Sequence, residues 1–178
     1  MPRKRIRSAA AAVALALALG AGCDDGGPRT ECRETAGDCA IECGDGCSPL
    51  CMYVEGQCDI TCGDGCSPEC RDSIDYGPCN LECGDDCTPY CWIGEVCNLT
   101  CGDRCAARCN YMQTCDFVVG DDSVIDCRSD EFCTVACGGD CRLACTNVAN
   151  CDLTCPGGDP VTCDDGGLAC GQGCDLQP

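Results

Sequence analysis

The sequence predicts a small, disulfide-rich, mostly β or irregular fold built from tandem β-hairpin modules. A disulfide-laced parallel β-solenoid is the alternative. Three observations carry this expectation. The chain holds 29 cysteines in 178 residues, far above the level that marks a disulfide scaffold. One unit recurs along it, clearest at Cys97-Asn-Leu-Thr-Cys101-Gly-Asp-Arg-Cys105-Ala-Ala-Arg-Cys109, with a cysteine at every fourth residue. The first arm of each copy alternates with period two, the signature of a strand with one buried face.

Residues 1–22 read as a signal peptide. Arg3, Lys4, Arg5 and Arg7 form a basic start, and Ala9 to Leu19 is an apolar run too short for an ordinary membrane span. Gly20, Ala21, Gly22 and Cys23 follow. Leu19 to Cys23 resembles the bacterial lipoprotein signal, with Gly20 where a larger aliphatic residue is commoner. The resemblance implies that Cys23 is lipidated, carries a palmitate-type acyl chain and becomes the mature N-terminus. It also implies a place in the bacterial cell envelope, anchored by lipid outside the cytoplasm. Cysteine parity agrees, since setting Cys23 aside turns an odd count into an even one that can pair completely.

Composition sets the class. Losing the four basic residues of the leader takes the net charge from −19 to −23. Two Phe and one Trp cannot fill an ordinary core, so crosslinks that penalise the unfolded state must hold the chain together. Strong negative charge argues against nucleic acid as a partner. Residues 23–38 read as the lipidated N-terminus and a tether, with Asp24, Asp25, Gly26, Gly27 and Pro28 as linker residues. Cys32 lies in this stretch and needs a partner.

Residues 39–178 form the repeat array, with units starting near Cys39, Cys58, Cys79, Cys97, Cys115, Cys133 and Cys151 and a degenerate end. The spacing is 19, 21 and then a steady 18 residues, a period that signals stacked supersecondary units. First arms alternate around Ile41, Ile60, Leu81, Leu99, Val135 and Leu153. Second arms carry Pro49, Pro68, Pro89, Ala107, Ile125 or Leu143 at their centre. Gly44-Asp45-Gly46 and Gly63-Asp64-Gly65 are the clearest turns between arms, where glycine tolerates positive φ. The glycines and prolines argue against a continuous helix. The steady period favours a solenoid, and the looser first three spacings favour hairpins.

A hairpin folded about each turn sets a pairing. It gives Cys43–Cys47 with Cys39–Cys51, Cys62–Cys66 with Cys58–Cys70, and Cys83–Cys87 with Cys79–Cys91. It continues with Cys101–Cys105 and Cys97–Cys109, then Cys137–Cys141 and Cys133–Cys145. Cys115–Cys127 stands alone, because Val119 and Ser123 replace both inner cysteines. Cys170–Cys174 is an inner pair at the degenerate end. Cys151, Cys155 and Cys163 are left without an assigned partner.

Function is the least legible layer. The chain has no histidine, which excludes His-dependent triads and zinc-protease patterns, and no enzyme is expected. No cofactor is expected. Calcium at Asp45, Asp64 and Asp103 is the metal alternative, although no turn has EF-hand length or ligand order. Tyr53, Tyr76, Trp92, Tyr111 and Phe132 lie in the linkers, as plugs over neighbouring disulfides or as an exposed row. The reading that remains is a surface-anchored structural or interaction lipoprotein, with the membrane and an unidentified protein or envelope component as partners. A secreted binding module, inhibitor or adhesin, is the alternative, and a metal-binding protein stands behind it. A binding module would use Phe117, Val118, Val119, Val124 and Ile125 as an exposed apolar patch.

Overall fold

The computed structural model describes residues 31–73, 77–128 and 130–177. Cys23 and the leader lie outside them. The chain winds as a flattened parallel β-solenoid, the second of the two arrangements its sequence allows. First arms stack on first arms. They are β2 (Cys39–Glu42), β4 (Cys58–Thr61), β6 (Cys79–Cys83), the end of β7 (Tyr90–Cys101), the end of β8 (Ala106–Val119), β10 (Phe132–Cys137) and β12 (Asn150–Thr154). Second arms stack likewise. They are β3 (Leu50–Met52), β5 (Glu69–Ser73), the starts of β7 and β8, β9 (Ser123–Arg128) and β11 (Cys141–Thr146). The register joins equivalent residues of successive units, Cys79 to Cys97 to Cys115 and Leu81 to Leu99 to Phe117.

The arms of one unit therefore do not pair as a hairpin. Stacking gives each arm a coil on both sides for its backbone groups, whereas an isolated hairpin leaves both edges bare. The Gly-Asp turn is a corner between two sheets. Inward positions of both sheets meet in a thin core of sulfur and aliphatic side chains, and Ile41, Ile60, Ile125, Leu143 and Val135 are fully buried there. Phe117, Val119 and Ile125 are interior, so the proposed apolar patch is core, with only Val118 well exposed. Val119 lies in register with Cys101 and Cys137, and Ser123 Oγ accepts the Cys105 N–H at 3.1 Å. They fill the space that an inner disulfide occupies elsewhere.

The outer pairing is corrected by one step. The bonds run around the far corner, from the last cysteine of one coil to the first of the next. They are Cys32–Cys39, Cys51–Cys58, Cys70–Cys79, Cys91–Cys97, Cys109–Cys115, Cys127–Cys133 and Cys145–Cys151, with Cα separations of 6.4 to 6.6 Å. The hairpin partners Cys39–Cys51, Cys58–Cys70, Cys79–Cys91, Cys97–Cys109, Cys115–Cys127 and Cys133–Cys145 are not joined. The Cys32, Cys39 and Cys51 sulfurs lie within 4.8 Å of one another, so the outer cysteines form a continuous column of sulfur. The chain climbs one coil as it turns the corner, and that climb selects the partner. The unpaired Cys32 is thereby explained. It lies in β1 (Glu31–Arg33), in register with Cys51, as the last cysteine of a preceding partial coil. Residues 31–33 thus belong to the array rather than to a tether.

Inner bonds join Cys43 to Cys47, Cys101 to Cys105 and Cys137 to Cys141 within their coils. Cys62, Cys66, Cys83 and Cys87 are buried free thiols. Cys170 and Cys174 do not bond to each other. Cys155–Cys170 and Cys163–Cys174 close the C-terminal end. There the chain reverses, and β14 (Leu168–Cys170) runs antiparallel to β11, with β13 (Val161–Thr162) antiparallel to β14. Nearly buried Arg142 reaches the cap, donating to the Leu176 carbonyl at 2.9 Å and pairing with Asp165. A covered end is the usual remedy for an open sheet edge.

Candidate functional site

The solenoid offers four chemically distinct regions: an acidic corner, two unlike sheet faces and a set of buried free thiols. At the corner, one aspartate per coil caps the next. Asp45 Oδ1 accepts the Asp64 N–H at 3.1 Å, Asp64 the Asp85 N–H at 2.9 Å, and Asp85 the Asp103 N–H at 2.9 Å. Asp103 accepts from Asp121, Asp121 from Asp140, and Asp140 from Gln172. A Cβ at Gly63, Gly84, Gly102, Gly120, Gly139 or Gly171 would collide with the carboxylate oxygen of the aspartate one coil below. Gly44, with no corner below it among the described residues, faces open space. The repeated Gly-Asp is thus a device between coils, with Gly leaving room for the neighbour's Asp. Asp45, Asp64 and Asp103, the calcium candidates, each commit one oxygen to this ladder. Arg104 forks onto Asp86 at 2.6 and 2.7 Å and holds its carboxyl below the usual carboxylate range.

The first-arm face is acidic and amide-rich. Gln57 and Asn80 donate to Asp59, and Asn98 donates to Asn80 at 2.8 Å, a side-chain ladder running across three coils. No basic residue projects outward from the first-arm strands among the described residues.

The second-arm face is different. Arg33, Met52, Arg71, Trp92, Asn110 and Arg128 occupy one register column, and Glu69, Tyr90, Arg108 and Asp126 the next. The described residues hold six arginines and no lysine, and four of those arginines stand in these columns. The Arg71 guanidinium lies 5.8 Å from the Tyr90 ring centroid and 6.0 Å from that of Trp92, within cation–π range. Glu69 also pairs with Arg71, at 2.7 Å. Asn110 donates to the Tyr90 hydroxyl at 3.2 Å, and Arg128 pairs with Asp126. Arg108 is exposed and has no ion-pair partner among the described residues.

The linker aromatics are not plugs. Tyr53, Tyr111 and Phe132 are 42%, 59% and 47% exposed, Trp92 is half-buried, and Tyr76 lies outside the described residues. Sequence reasoning missed the Arg and aromatic face, because its members are adjacent only once the solenoid register is known.

Asp130 is the one buried carboxylate among the described residues. Its Oδ1 accepts the Met112 N–H at 2.8 Å, and its Oδ2 has no partner. Burial raises its pKa to about 6, against the opposing pull of backbone N–H groups.

Comparison with protein-family models, with curated proteins and with solved structures gave no match. Among the described residues no helix is long and apolar enough to cross a membrane. The many disulfides fit an oxidising compartment outside the cytoplasm.

Proposed function

We propose that the chain is a surface-anchored structural or interaction lipoprotein without catalytic activity, a stiff platform held to a bacterial membrane through lipid on Cys23. The observation that carries this reading is the covalently stapled solenoid. A disulfide at every far corner fixes each coil to the next, so exposed side chains stand in rigid columns with one residue about every 4.8 Å. Such a scaffold presents a surface. The lipoprotein-like signal ending at Cys23 supports the anchor. The test is Cys23→Ser in cells: the protein moves from the membrane to the soluble exported fraction. A variant that stays in the membrane overturns the anchor.

The binding-module reading is favoured by the second-arm face. Arg71, Tyr90, Trp92, Arg108 and Arg128 gather basic and aromatic groups on a chain of net charge −19, the composition that interface centres favour. Arg108→Glu/Arg128→Glu should abolish capture of the partner from intact cells while leaving the fold intact.

A further inference from the structure

We propose that the Gly-Asp corner of the first four coils is a thiol–disulfide exchange site. The free thiols of the second and third coils attack the disulfides of the first and fourth, and the bonds move from coil to coil.

The sulfurs are stacked for it. Those of Cys43, Cys47, Cys62 and Cys66 lie within 4.8 Å of one another, as do those of Cys83, Cys87 and Cys101. In each group one free sulfur touches one end of a disulfide. Cys66 Sγ lies 3.4 Å from Cys47 Sγ, which is bonded to Cys43. Cys83 Sγ lies 3.3 Å from Cys101 Sγ, which is bonded to Cys105. Both separations fall in the near-attack range of roughly 3–3.5 Å. The stack ends at the fifth coil, where Val119 stands in register with Cys101 and Cys137. The sixth coil carries the same kind of bond, Cys137–Cys141, with no free thiol on either neighbouring coil.

Burial decides which disulfide the thiols meet. Cys66 and Cys87 are fully buried, and Cys62 and Cys83 keep 7% exposure each. That shields all four from oxidants in solution, but not from a disulfide already inside the core. At rest the Cys66 thiol donates to the Gly44 carbonyl and the Cys87 thiol to the Gly63 carbonyl, each at 3.4 Å. Carbonyl acceptors favour the protonated thiol, so exchange begins only when a proton is lost to water.

The step is then balanced within the chain. The Cys66 thiolate attacks Cys47 Sγ, the Cys43–Cys47 bond breaks, and its electron pair leaves on Cys43, which takes up a proton. The product is a Cys47–Cys66 bond between coils and a Cys43 thiol. Attack by Cys62 on Cys66 carries the bond wholly into the second coil. In the other group the Cys83 thiolate attacks Cys101 Sγ, and Cys105 leaves. One disulfide is lost and one gained each time, so no outside oxidant or reductant is needed.

The test uses the mature full-length chain purified without reductant. It is held at about pH 8.5, the ordinary thiol pKa, then quenched and unfolded in acid, labelled with a maleimide and mapped by peptide mass spectrometry. Four labels per chain should be found, spread beyond the four resting thiols onto Cys43 and Cys105. Label there should exceed that on Cys137 and Cys141 by at least about tenfold, a small part of what proximity gives an intramolecular attack. Cys62→Ser/Cys66→Ser should clear the label from Cys43 and leave it on Cys105. Cys83→Ser/Cys87→Ser should do the reverse, so each variant's surviving exchange reports that it has folded. Label confined to Cys62, Cys66, Cys83 and Cys87 overturns the proposal, as does a chain with no label at all. Label reaching Cys137 and Cys141 as readily as Cys43 overturns it too, since that is unspecific scrambling.

Discussion

The first three coils and the next three follow one plan with different means. In the first three, Pro49, Pro68 and Pro89 sit at the centre of the second arm, fully buried. Their carbonyls accept from Glu69, Tyr90 and Arg108 at 2.8, 2.9 and 3.0 Å, but proline has no N–H to return. Strand β3 is 3 residues long. In the next three, Ala107, Ile125 and Leu143 take the proline's place, and β9 and β11 run 6 residues each. The spacing between units is 19 and 21 residues before Cys79 and 18 after it. Far-corner disulfides continue unchanged through both halves. The comparison teaches that crosslinks and ladder bonds are complementary supports: where proline thins the ladder, sulfur carries a larger share of the register.

Removing a corner bond should separate the halves most. Cys127→Ser/Cys133→Ser should cost about 2 kcal/mol, the loop-entropy value for so short a loop. Cys51→Ser/Cys58→Ser should cost more and should release the proline coils to hydrogen exchange ahead of the rest. Denaturant midpoints with exchange mass spectrometry measure both. Equal costs and uniform exchange would erase the distinction. Full reduction should unfold both halves, since neither has the large apolar residues to persist alone.

Within the proline half, the Gly-Asp corner offers a sharper contrast. Gly84→Ala should cost about 3 kcal/mol, the top of the overpacking range, because the displaced Asp64 oxygen also caps a backbone N–H. Gly44→Ala, in the same Glu-Cys-Gly-Asp context, should change stability by no more than about 0.5 kcal/mol. Thermal melts of the two variants decide whether the ladder between coils is real.

Much of the fold was legible, but not its hand of assembly. Period two at Cys79-x-Leu81-x-Cys83 marks a strand whether its neighbour is parallel or antiparallel, and Gly-Asp-Gly serves a sheet corner as well as a hairpin turn. The joint loss of both inner cysteines at Val119 and Ser123 fits either architecture, because inner bonds stay within a coil in both. Two signals did discriminate. Cys32 precedes Cys39 by seven residues, as Cys51 precedes Cys58, so the leftover cysteine belonged to a corner-to-corner rule. Gly stands directly before Asp at the corner of each of the first six units, because each Asp occupies the space above the next coil's Gly. The thiol state of Cys62, Cys66, Cys83 and Cys87 was not legible, since their spacing is that of every inner pair.

The aliphatic half holds Asp130, and the proline half has no buried carboxylate among the described residues. Its pKa lies above the unfolded value, so folding favours the protonated form. Stability is full below pH 4 and falls as pH rises towards 6, by on the order of 2 kcal/mol. Asp130→Asn should remove that loss, raising the melting temperature at pH 7.5 and leaving it unchanged at pH 3.5. A variant destabilised at both pH values would show that the carboxylate is needed as such.

The smallest effect should be alike in both halves. Tyr53 and Tyr111 occupy equivalent far corners with φ of 54° and 58°, where Asn147 stands in a later coil. Asparagine tolerates this left-handed conformation. Tyr53→Asn and Tyr111→Asn should each stabilise by about 1 kcal/mol, and a gain in only one half would mean that the corners are not equivalent.

The central claim is that corner disulfides chain each coil to the next, and the methionines allow a direct test. Met52 lies between Cys51 and Cys58, and Met112 between Cys109 and Cys115. Cleavage at methionine with cyanogen bromide in acid, where disulfides do not exchange, cuts the chain inside two of the proposed bridges. The solenoid predicts that the fragments remain one covalent species on a non-reducing gel and separate only on reduction. Pairing within hairpins, with Cys39–Cys51, Cys58–Cys70, Cys97–Cys109 and Cys115–Cys127, places no bond across either cut. Fragments that separate without reductant would contradict the solenoid.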